Sequence, residues 1–178
     1  EMTAEGTYLL NLEGFSSVGE YAFTETTRLR KVYVSDSVTE IGQRAFAYSA
    51  VESIAFAPER TQSLTLASYA FAYMTSLQSV AIPSYLAELP QYLFRGCTRL
   101  ADVSLAEGVE SLGSYVFRDC SALTAVVLPK SLTDIAGTAF NSSGIRAYYF
   151  AGTEEEAEGI SYPTAVRTAL YCYSEDDP

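Results

Sequence analysis

Cys97 and Cys120 are the residues whose type and spacing come closest to a reactive pair in this sequence. They lie 23 positions apart, and such a pair could form a disulfide in an oxidising compartment or contribute two ligands to a metal ion. Cys172 is the third cysteine, and the odd count argues against a disulfide framework. Two thiols alone make a poor metal site, and the equivalent positions of other repeat units hold Ser, Thr or Met, so a small buried side chain suffices there. We therefore expect free, buried thiols at positions 97 and 120.

Other catalytic groups are scarce in the chain. The sequence contains no histidine, which removes Ser-His and Cys-His nucleophilic pairs and histidine ligation of metals. It contains no phosphate-binding glycine loop, dinucleotide-binding fingerprint or EF-hand spacing. Acidic residues are clustered in residues 154–158, but they lie near a terminus where nothing would desolvate them. We therefore predict that the protein is not an enzyme and that it uses no cofactor or metal.

The charge balance limits the classes of partner. The chain carries 11 basic and 22 acidic residues, a net charge of −11 at pH 7. That field repels nucleic acids and anionic lipid headgroups, so we predict no nucleic-acid ligand. No apolar run approaches the roughly 20 residues needed to cross a bilayer, so direct membrane insertion is not expected. Residues 152–178 hold seven acidic residues against one base, which is typical of a solvated terminus.

A repeated frame organises most of the chain. Apolar residues recur about five positions before each of six phenylalanines and about nine and eleven positions after it. The phenylalanines follow one another at intervals of 23, 25, 23, 23 and 23 residues and are Phe23, Phe46, Phe71, Phe94, Phe117 and Phe140. We therefore predict stacked coils with these six rings in a column down the middle. The one longer interval predicts a protruding loop around the sequence PERTQS.

Alternation within each unit predicts a β-strand. In the segment LTAVVL, Val126 and Leu128 are two positions apart and share one face of an extended strand, whereas Val127 occupies the other face. Parallel stacking of such strands buries the apolar face of each unit against its neighbours. Pro129 follows the last inward residue, where no ladder donor is needed. A second short strand and a tight turn or single helical turn near the Tyr-x-Phe positions complete each unit.

The two ends of the array are expected to differ from its middle. Residues 8–17 are predicted to form a partial unit, and full units begin near residue 18. The solenoid is thus predicted to occupy residues 1–150, in about six coils of 23–25 residues. Residues 151–178 are predicted to form a C-terminal cap and an acidic tail. Within that segment, Thr153 and Glu156 have the spacing of a helix capping box.

Several segments resemble the BspA-type leucine-rich repeat, whose frame is IGxxAFxxCxxLxxVxLPxSVTx. They are VFRDCSALTAVVLPKSLTD, LFRGCTRLADVSL and IAGTAF, and the end of the chain, YYFAGTEEEAEG with YCYSEDDP, is similar to the terminus common in such proteins. The resemblance covers roughly residues 8–178 and implies a right-handed leucine-rich superhelix, β-rich with short helical turns. It also implies a secreted or surface-attached bacterial protein, used in adhesion or host-protein binding, with no catalytic residues. The repeat's cysteine is replaced in four units, by Thr26, Ser49, Met74 and Ser143.

The outward positions of the strands form the candidate binding surface. Small residues occupy its middle and a tyrosine lies at each end; small residues allow close approach of a partner, and aromatic residues are common anchors. Small residues would also suit a tightly curved or flat sheet that binds nothing. We name these positions the strand strip, which consists of Lys31, Tyr33, Ser53, Ala55, Ser79, Ala81, Asp102, Ser104, Val127 and Tyr149.

The combined features predict a non-enzymatic protein-interaction module of a secreted or cell-surface bacterial protein. An adhesin that binds extracellular or host proteins is the leading interpretation, and secretion assumes that a signal sequence has been removed. A structural spacer within a larger surface protein is the alternative. A polysaccharide hydrolase is a third class, but the sequence has no cleft signature. The incomplete N-terminal edge also allows self-association.

Overall fold

The computed structural model describes residues 8–158 and 160–172, and its chain winds into about seven turns of a parallel β-solenoid. Each turn contributes one longer strand, and these are β1 (Tyr8–Asn11), β3 (Leu29–Val34), β5 (Ser53–Phe56), β7 (Ser79–Ile82), β9 (Asp102–Leu105), β11 (Ala125–Leu128), β13 (Ala147–Phe150) and β14 (Leu170–Cys172). Two-residue strands alternate with them: β2 (Ser17–Val18), β4 (Glu40–Ile41), β6 (Thr65–Leu66), β8 (Glu88–Leu89), β10 (Ser111–Leu112) and β12 (Asp134–Ile135). Two short helices complete the described chain, α1 (Glu154–Glu158) and α2 (Thr164–Arg167).

The strands pair in parallel and in phase from one coil to the next. The longer strands form a sheet of order β1-β3-β5-β7-β9 and a second of order β11-β13-β14, and β9 contacts β11. The register places inward residues of successive coils opposite one another, as Val32 opposite Ile54 and Val80 opposite Val103. The short strands form two further three-stranded sheets. This arrangement confirms the predicted leucine-rich repeat solenoid.

Six phenylalanine rings stack in a column inside the solenoid, as the repeat predicts. Successive ring centroids are 5.1, 5.7, 5.6, 5.6 and 5.6 Å apart, and the ring planes differ by at most 21°. The four central rings are fully buried, whereas Phe23 at the N-terminal end is only half-buried. A stacked aromatic pair contributes about 0.5–1.5 kcal/mol beyond the burial of its area, so the column couples each coil to the next.

Tight turns surround the phenylalanines, one of the two forms predicted for these positions. In five coils, one residue two positions before the phenylalanine and one two positions after it have positive φ angles, for example Arg44 at 53° and Tyr48 at 59°. Left-handed residues cannot continue a right-handed helix, so these segments form tight turns and not single helical turns. The backbone N–H groups instead reach the next coil: that of Phe46 donates to the Ala70 carbonyl at 2.9 Å.

Serines that follow the longer strands tie the loops of successive coils together. The Ser131 hydroxyl accepts a hydrogen bond from the Gly108 N–H at 2.8 Å, and Ser37 accepts one from the Gly14 N–H at 3.1 Å. Gly108 has a φ of +111°, and a Cβ atom there would lie 2.4 Å from the Ser84 carbonyl oxygen. Glycine is therefore required for this close approach of two coils.

The longer repeat interval accommodates a loop, residues 58–63, that folds back onto the preceding coil. The Arg60 guanidinium donates to the carbonyl oxygens of Ser35 at 2.7 Å and Asp36 at 3.1 Å. The Asp36 carboxylate in turn accepts hydrogen bonds from the Thr61 hydroxyl at 2.8 Å and the Thr61 N–H at 2.9 Å, and these bonds lower the pKa of Asp36. The predicted insertion is present, and these contacts hold it against the body of the solenoid.

The cap segment packs against the last coil. Thr153 and Glu156 form the predicted capping box: the Thr153 N–H donates to Glu156 Oε2 at 2.9 Å, and the Glu156 N–H donates to Thr153 Oγ1 at 3.3 Å. β14 pairs with β13, and the Tyr162 ring meets Phe150 edge to face at 6.3 Å. The division at residue 150 stays a prediction, and the end of the predicted acidic tail, residues 173–178, lies outside the described residues. Neither helix of the described chain has the length and apolarity to cross a membrane.

The cysteines of the repeats are free and buried, as predicted. Cys97 Sγ donates to the Phe71 carbonyl of the preceding coil at 3.2 Å, and Cys120 Sγ donates to that of Phe94 at 3.3 Å. Burial raises the pKa of the Cys97 thiol well above its usual range and that of Cys120 to about 12. Both thiols are therefore protonated at neutral pH and act as small core side chains.

Removing one ring from the middle of the column should be strongly destabilising. We expect Phe94→Ala to lower the free energy of unfolding by about 3–5 kcal/mol, because a fully buried ring with a stacked partner on each side is lost. Phe23→Ala is the matched control, since Phe23 stacks on only one ring of the column, Phe46, and is half-buried. The free energies of unfolding of both variants are measured by urea denaturation and compared with that of the parent. Equal losses of unfolding free energy in the two variants would contradict the conclusion that the central rings stabilise the stack.

The buried thiols of Cys97 and Cys120 should be unreactive towards thiol reagents in the folded protein. Because the thiolate is the reactive species, we expect a thiol reagent to modify at most Cys172 in the native state. Unfolding in denaturant should then expose all three thiols. Rapid native labelling at Cys97 or Cys120, or an intact mass that increases on reduction, would contradict the prediction.

Candidate protein-binding surface

All ten residues of the strand strip lie on the outward side of the longer strands. Along each strand they alternate with inward core residues: in β7 and β9 the exposed positions are the first and third and the buried ones the second and fourth. The ladder places Lys31 opposite Ser53, Ser53 opposite Ser79, and Ser79 opposite Asp102. These four side chains form one continuous row at the strand-to-strand spacing of about 4.8 Å.

A second outward row runs beside the first. It places Tyr33 opposite Ala55, and Ala81 opposite Ser104. Ala55, Ala81 and Ser104 are exposed, whereas Tyr33 is half-buried. The middle of the strip is therefore low and uncharged, and a partner can approach the sheet there without displacing long side chains.

An apolar patch lies at the C-terminal end of the strip. Val127 is opposite Tyr149, Tyr149 is opposite Tyr171, and the three side chains are 49%, 43% and 58% exposed. The rings of Tyr149 and Tyr171 stack with centroids 5.5 Å apart. Tyr171 was not predicted as part of the strip. The apolar-aromatic alternation of Leu170, Tyr171 and Cys172 was the available signal, but it lies within the segment interpreted as cap.

An acidic hollow adjoins the other end of the strip. It has a volume of about 490 Å³, and Tyr33 forms part of its wall together with the carboxylate residues Glu13, Asp36 and Glu59. The hydrogen bonds from Thr61 that lower the pKa of Asp36 keep this carboxylate ionised at neutral pH. The hollow therefore favours a basic group over an acidic one.

A second hollow opens at the N-terminal end of the solenoid. It has a volume of about 440 Å³, its surface is mainly apolar, and its walls include Tyr8, Leu10, Phe23 and Leu29. Phe15, from the same coil, is 57% exposed. Apolar surface is thus concentrated at this end of the described stack.

Metal-binding clusters and buried polar groups were the remaining candidates for chemistry among the described residues. Within residues 8–158 and 160–172, no group of three or more Cys, Asp or Glu side chains is placed to hold a metal ion. The Tyr162 hydroxyl is buried without a hydrogen-bond partner in the described structure, and burial raises its pKa to about 12. A phenol that stays protonated at neutral pH is a poor general base.

Comparison with protein families identifies the repeat. The model for the BspA type leucine rich repeat region matches residues 9–64 and 58–158, in six copies. No curated protein matches the chain.

Solved bacterial structures share the fold. A leucine-rich repeat protein from Eubacterium ventriosum is 21% identical over 85% of this chain, with a TM-score of 0.59. The pneumococcal vaccine antigen PcpA is 16% identical over 84%, with a TM-score of 0.68, and a leucine-rich cell surface protein from Faecalibacterium prausnitzii is 20% identical over 90%, with a TM-score of 0.53. The matched regions are 37%, 42% and 40% of those chains, so this chain spans about two fifths of their length.

Sequence identities this low show that the fold is shared and nothing further. The six-copy match, by contrast, spans nearly all of the described solenoid and coincides with coils whose inward residues and rings stack in register. The chain therefore belongs to the BspA-type leucine-rich repeat family.

Proposed function

We propose that this protein is a protein-interaction module with no enzymatic activity, and that the strand strip together with Tyr171 is its binding surface. The observation that carries the proposal is the continuous outward surface of the sheet, with exposed Val127, Tyr149 and Tyr171 at one end. Rigid strands hold these side chains in place, so little conformational entropy is lost when a partner binds.

The chemistry of the strip suits another protein. Aromatic side chains at one end supply large contact areas, and the small middle residues allow close packing. Charge on the strip is limited to Lys31 and Asp102, so burying it desolvates few ionised groups. The acidic hollow beside Tyr33 suits a lysine or arginine of the partner.

The location we propose is the bacterial cell surface or the extracellular medium, where the partner is an extracellular or host protein and the role is adhesion. Support comes from family membership and from two structural neighbours described as a cell surface protein and a vaccine antigen. Those descriptions belong to the neighbours, and for this chain adhesion is a proposal.

Two alternatives give different experimental results. A spacer that only displays other domains would bind nothing through the strip. A polysaccharide hydrolase would release reducing sugars in a turnover assay, whereas the proposed interaction module would release none. Self-association through the N-terminal edge also stays a prediction, supported by the apolar hollow that includes half-buried Phe23.

A variant of the strand strip tests the proposal if it loses binding to the partner and keeps its thermal stability. We expect Tyr33→Ala combined with Tyr149→Ala to weaken the complex captured from extracellular-matrix or neighbouring-bacterium extracts by about tenfold or more, because interface tyrosines are frequent hot spots. The thermal midpoint should stay close to that of the parent, since Tyr149 is 43% exposed and half-buried Tyr33 lies on the outward side of its strand, outside the core. Affinity is measured on the purified partner by surface plasmon resonance.

Phe15→Ala is the matched control for this experiment. Phe15 is 57% exposed and lies outside the strip, so its removal takes away a comparable exposed ring. Unchanged affinity in the strip variant, or an equal loss in the control, would rule out the strand strip as the contact surface. Absence of any captured protein would instead favour the spacer.

A further inference from the structure

Tyrosine and arginine side chains stack along the turns beside the phenylalanine column. One row occupies the position two residues before five of the six phenylalanines and consists of Tyr21, Arg44, Tyr69, Tyr92 and Tyr115. The rings of Tyr69 and Tyr92 are 4.5 Å apart, and those of Tyr92 and Tyr115 are 5.1 Å apart. Arg44 takes the place of a ring, with its guanidinium carbon 5.9 Å from the Tyr21 centroid and 5.0 Å from that of Tyr69.

A second row follows the phenylalanines and contains Tyr48, Tyr73, Arg95 and Arg118. The rings of Tyr48 and Tyr73 stack at 4.6 Å, and the Arg95 guanidinium lies 5.6 Å from the Tyr73 centroid. Arg95 and Arg118 also approach Asp119, with Nε–Oδ2 distances of 3.7 and 3.3 Å. We call the two rows together the turn face.

The tyrosines of the turn face occupy backbone positions that favour glycine. All six have φ angles between 56° and 62°, and the equivalent position in one coil is Gly96, at 73°. A bulky residue in this conformation costs about 1–3 kcal/mol, which stacking of the rings can offset. The result is a set of side chains held in fixed positions by the backbone and by each other.

Charge is distributed unevenly around the coil. The six turn segments, residues 18–29, 41–51, 66–77, 89–100, 112–123 and 135–145, contain five arginines and three acidic residues. The rest of the chain contains six basic and nineteen acidic residues. The turn side is therefore locally positive on a strongly acidic protein, and three of its five arginines, Arg44, Arg95 and Arg118, lie over aromatic rings.

The stacking determines what the turn face can bind. Ring faces are covered by neighbouring rings or guanidinium groups, which leaves few of them free to stack on a sugar or a nucleobase. Ring edges, phenol hydroxyls and guanidinium N–H groups remain at the surface, and Tyr21 and Tyr48 are 50% and 54% exposed. Such groups donate hydrogen bonds and favour negative charge. We propose that the turn face is a second binding surface, distinct from the strand strip, for an acidic polypeptide segment.

Arginines pre-oriented by cation–π contacts lose little side-chain entropy when they engage carboxylates. The site is independent of the strand strip, because its residues belong to the turns and the strip residues to the outward strand positions. A partner can therefore occupy one surface without covering the residues of the other.

The test measures binding of a fluorescein-labelled oligoglutamate peptide to the whole protein by fluorescence anisotropy. We expect saturable binding that weakens as salt is raised, because the Debye length falls from about 30 Å at 0.01 M to about 8 Å at 0.15 M salt. Arg44→Gln combined with Arg95→Gln should weaken binding about tenfold or more. The charge-matched control, Arg146→Gln with Arg167→Gln, removes two exposed arginines outside the turn face and should bind as the parent does.

Several results would overturn the proposal. These are no saturable binding, an equal loss in the control variant, or binding of polygalacturonate without binding of oligoglutamate. Arg44→Gln alone removes one stacked arginine of the turn face. It provides a milder variant if the double variant does not fold, and unchanged affinity in it would then count against the site. The Tyr33→Ala, Tyr149→Ala variant should retain oligoglutamate binding, and its loss would relocate the site to the strand strip.

Discussion

The stacking of like coils at a single spacing is the constraint from which the rest of this structure follows. Parallel strands lie about 4.8 Å apart, whereas the phenylalanine centroids are 5.1–5.7 Å apart, so the rings must be offset as well as stacked. A ring of the same size and shape in every coil meets this geometry throughout the column. A smaller side chain would leave a void between two rings, and a larger one would push two coils apart. This explains why phenylalanine recurs at the same position in six consecutive units.

The same constraint leaves the outward positions free to vary. Inward residues must match their neighbours in the coils above and below, but outward residues meet only solvent and the adjacent outward side chain. The strand side therefore combines small uncharged residues with exposed Val127, Tyr149 and Tyr171, while the turn side combines tyrosines with arginines. The two sides differ in charge and chemistry although they belong to the same coils. A solenoid of this kind can present two dissimilar surfaces with one core.

Features that depend on periodicity could be predicted from the sequence, and those that depend on backbone handedness could not. The phenylalanine column and the strand alternation follow from spacing alone, and the capping box of Thr153 and Glu156 follows from a local motif. At the turns the sequence left a tight turn and a single helical turn both open, because spacing does not show the positive φ angles that distinguish them, least of all for the tyrosines. Their stacking becomes visible only when successive coils are superposed in space. Tyr171 was missed because the repeat frame is lost after Phe150, although β14 continues the ladder.

The two ends of the described stack differ in a way that bears on its stability. At the C-terminal end, Tyr162 and Val166 are buried and β14 covers β13, so the last coil is closed. At the N-terminal end, Phe23 is half-buried and an apolar hollow of about 440 Å³ lies beside it. In a quasi-linear array each coil is stabilised by its neighbours, so a coil with one neighbour is held less firmly than a coil with two. Apolar side chains packed against the N-terminal end of the described stack would therefore stabilise it, because they would bury more of Phe23 and of the hollow beside it.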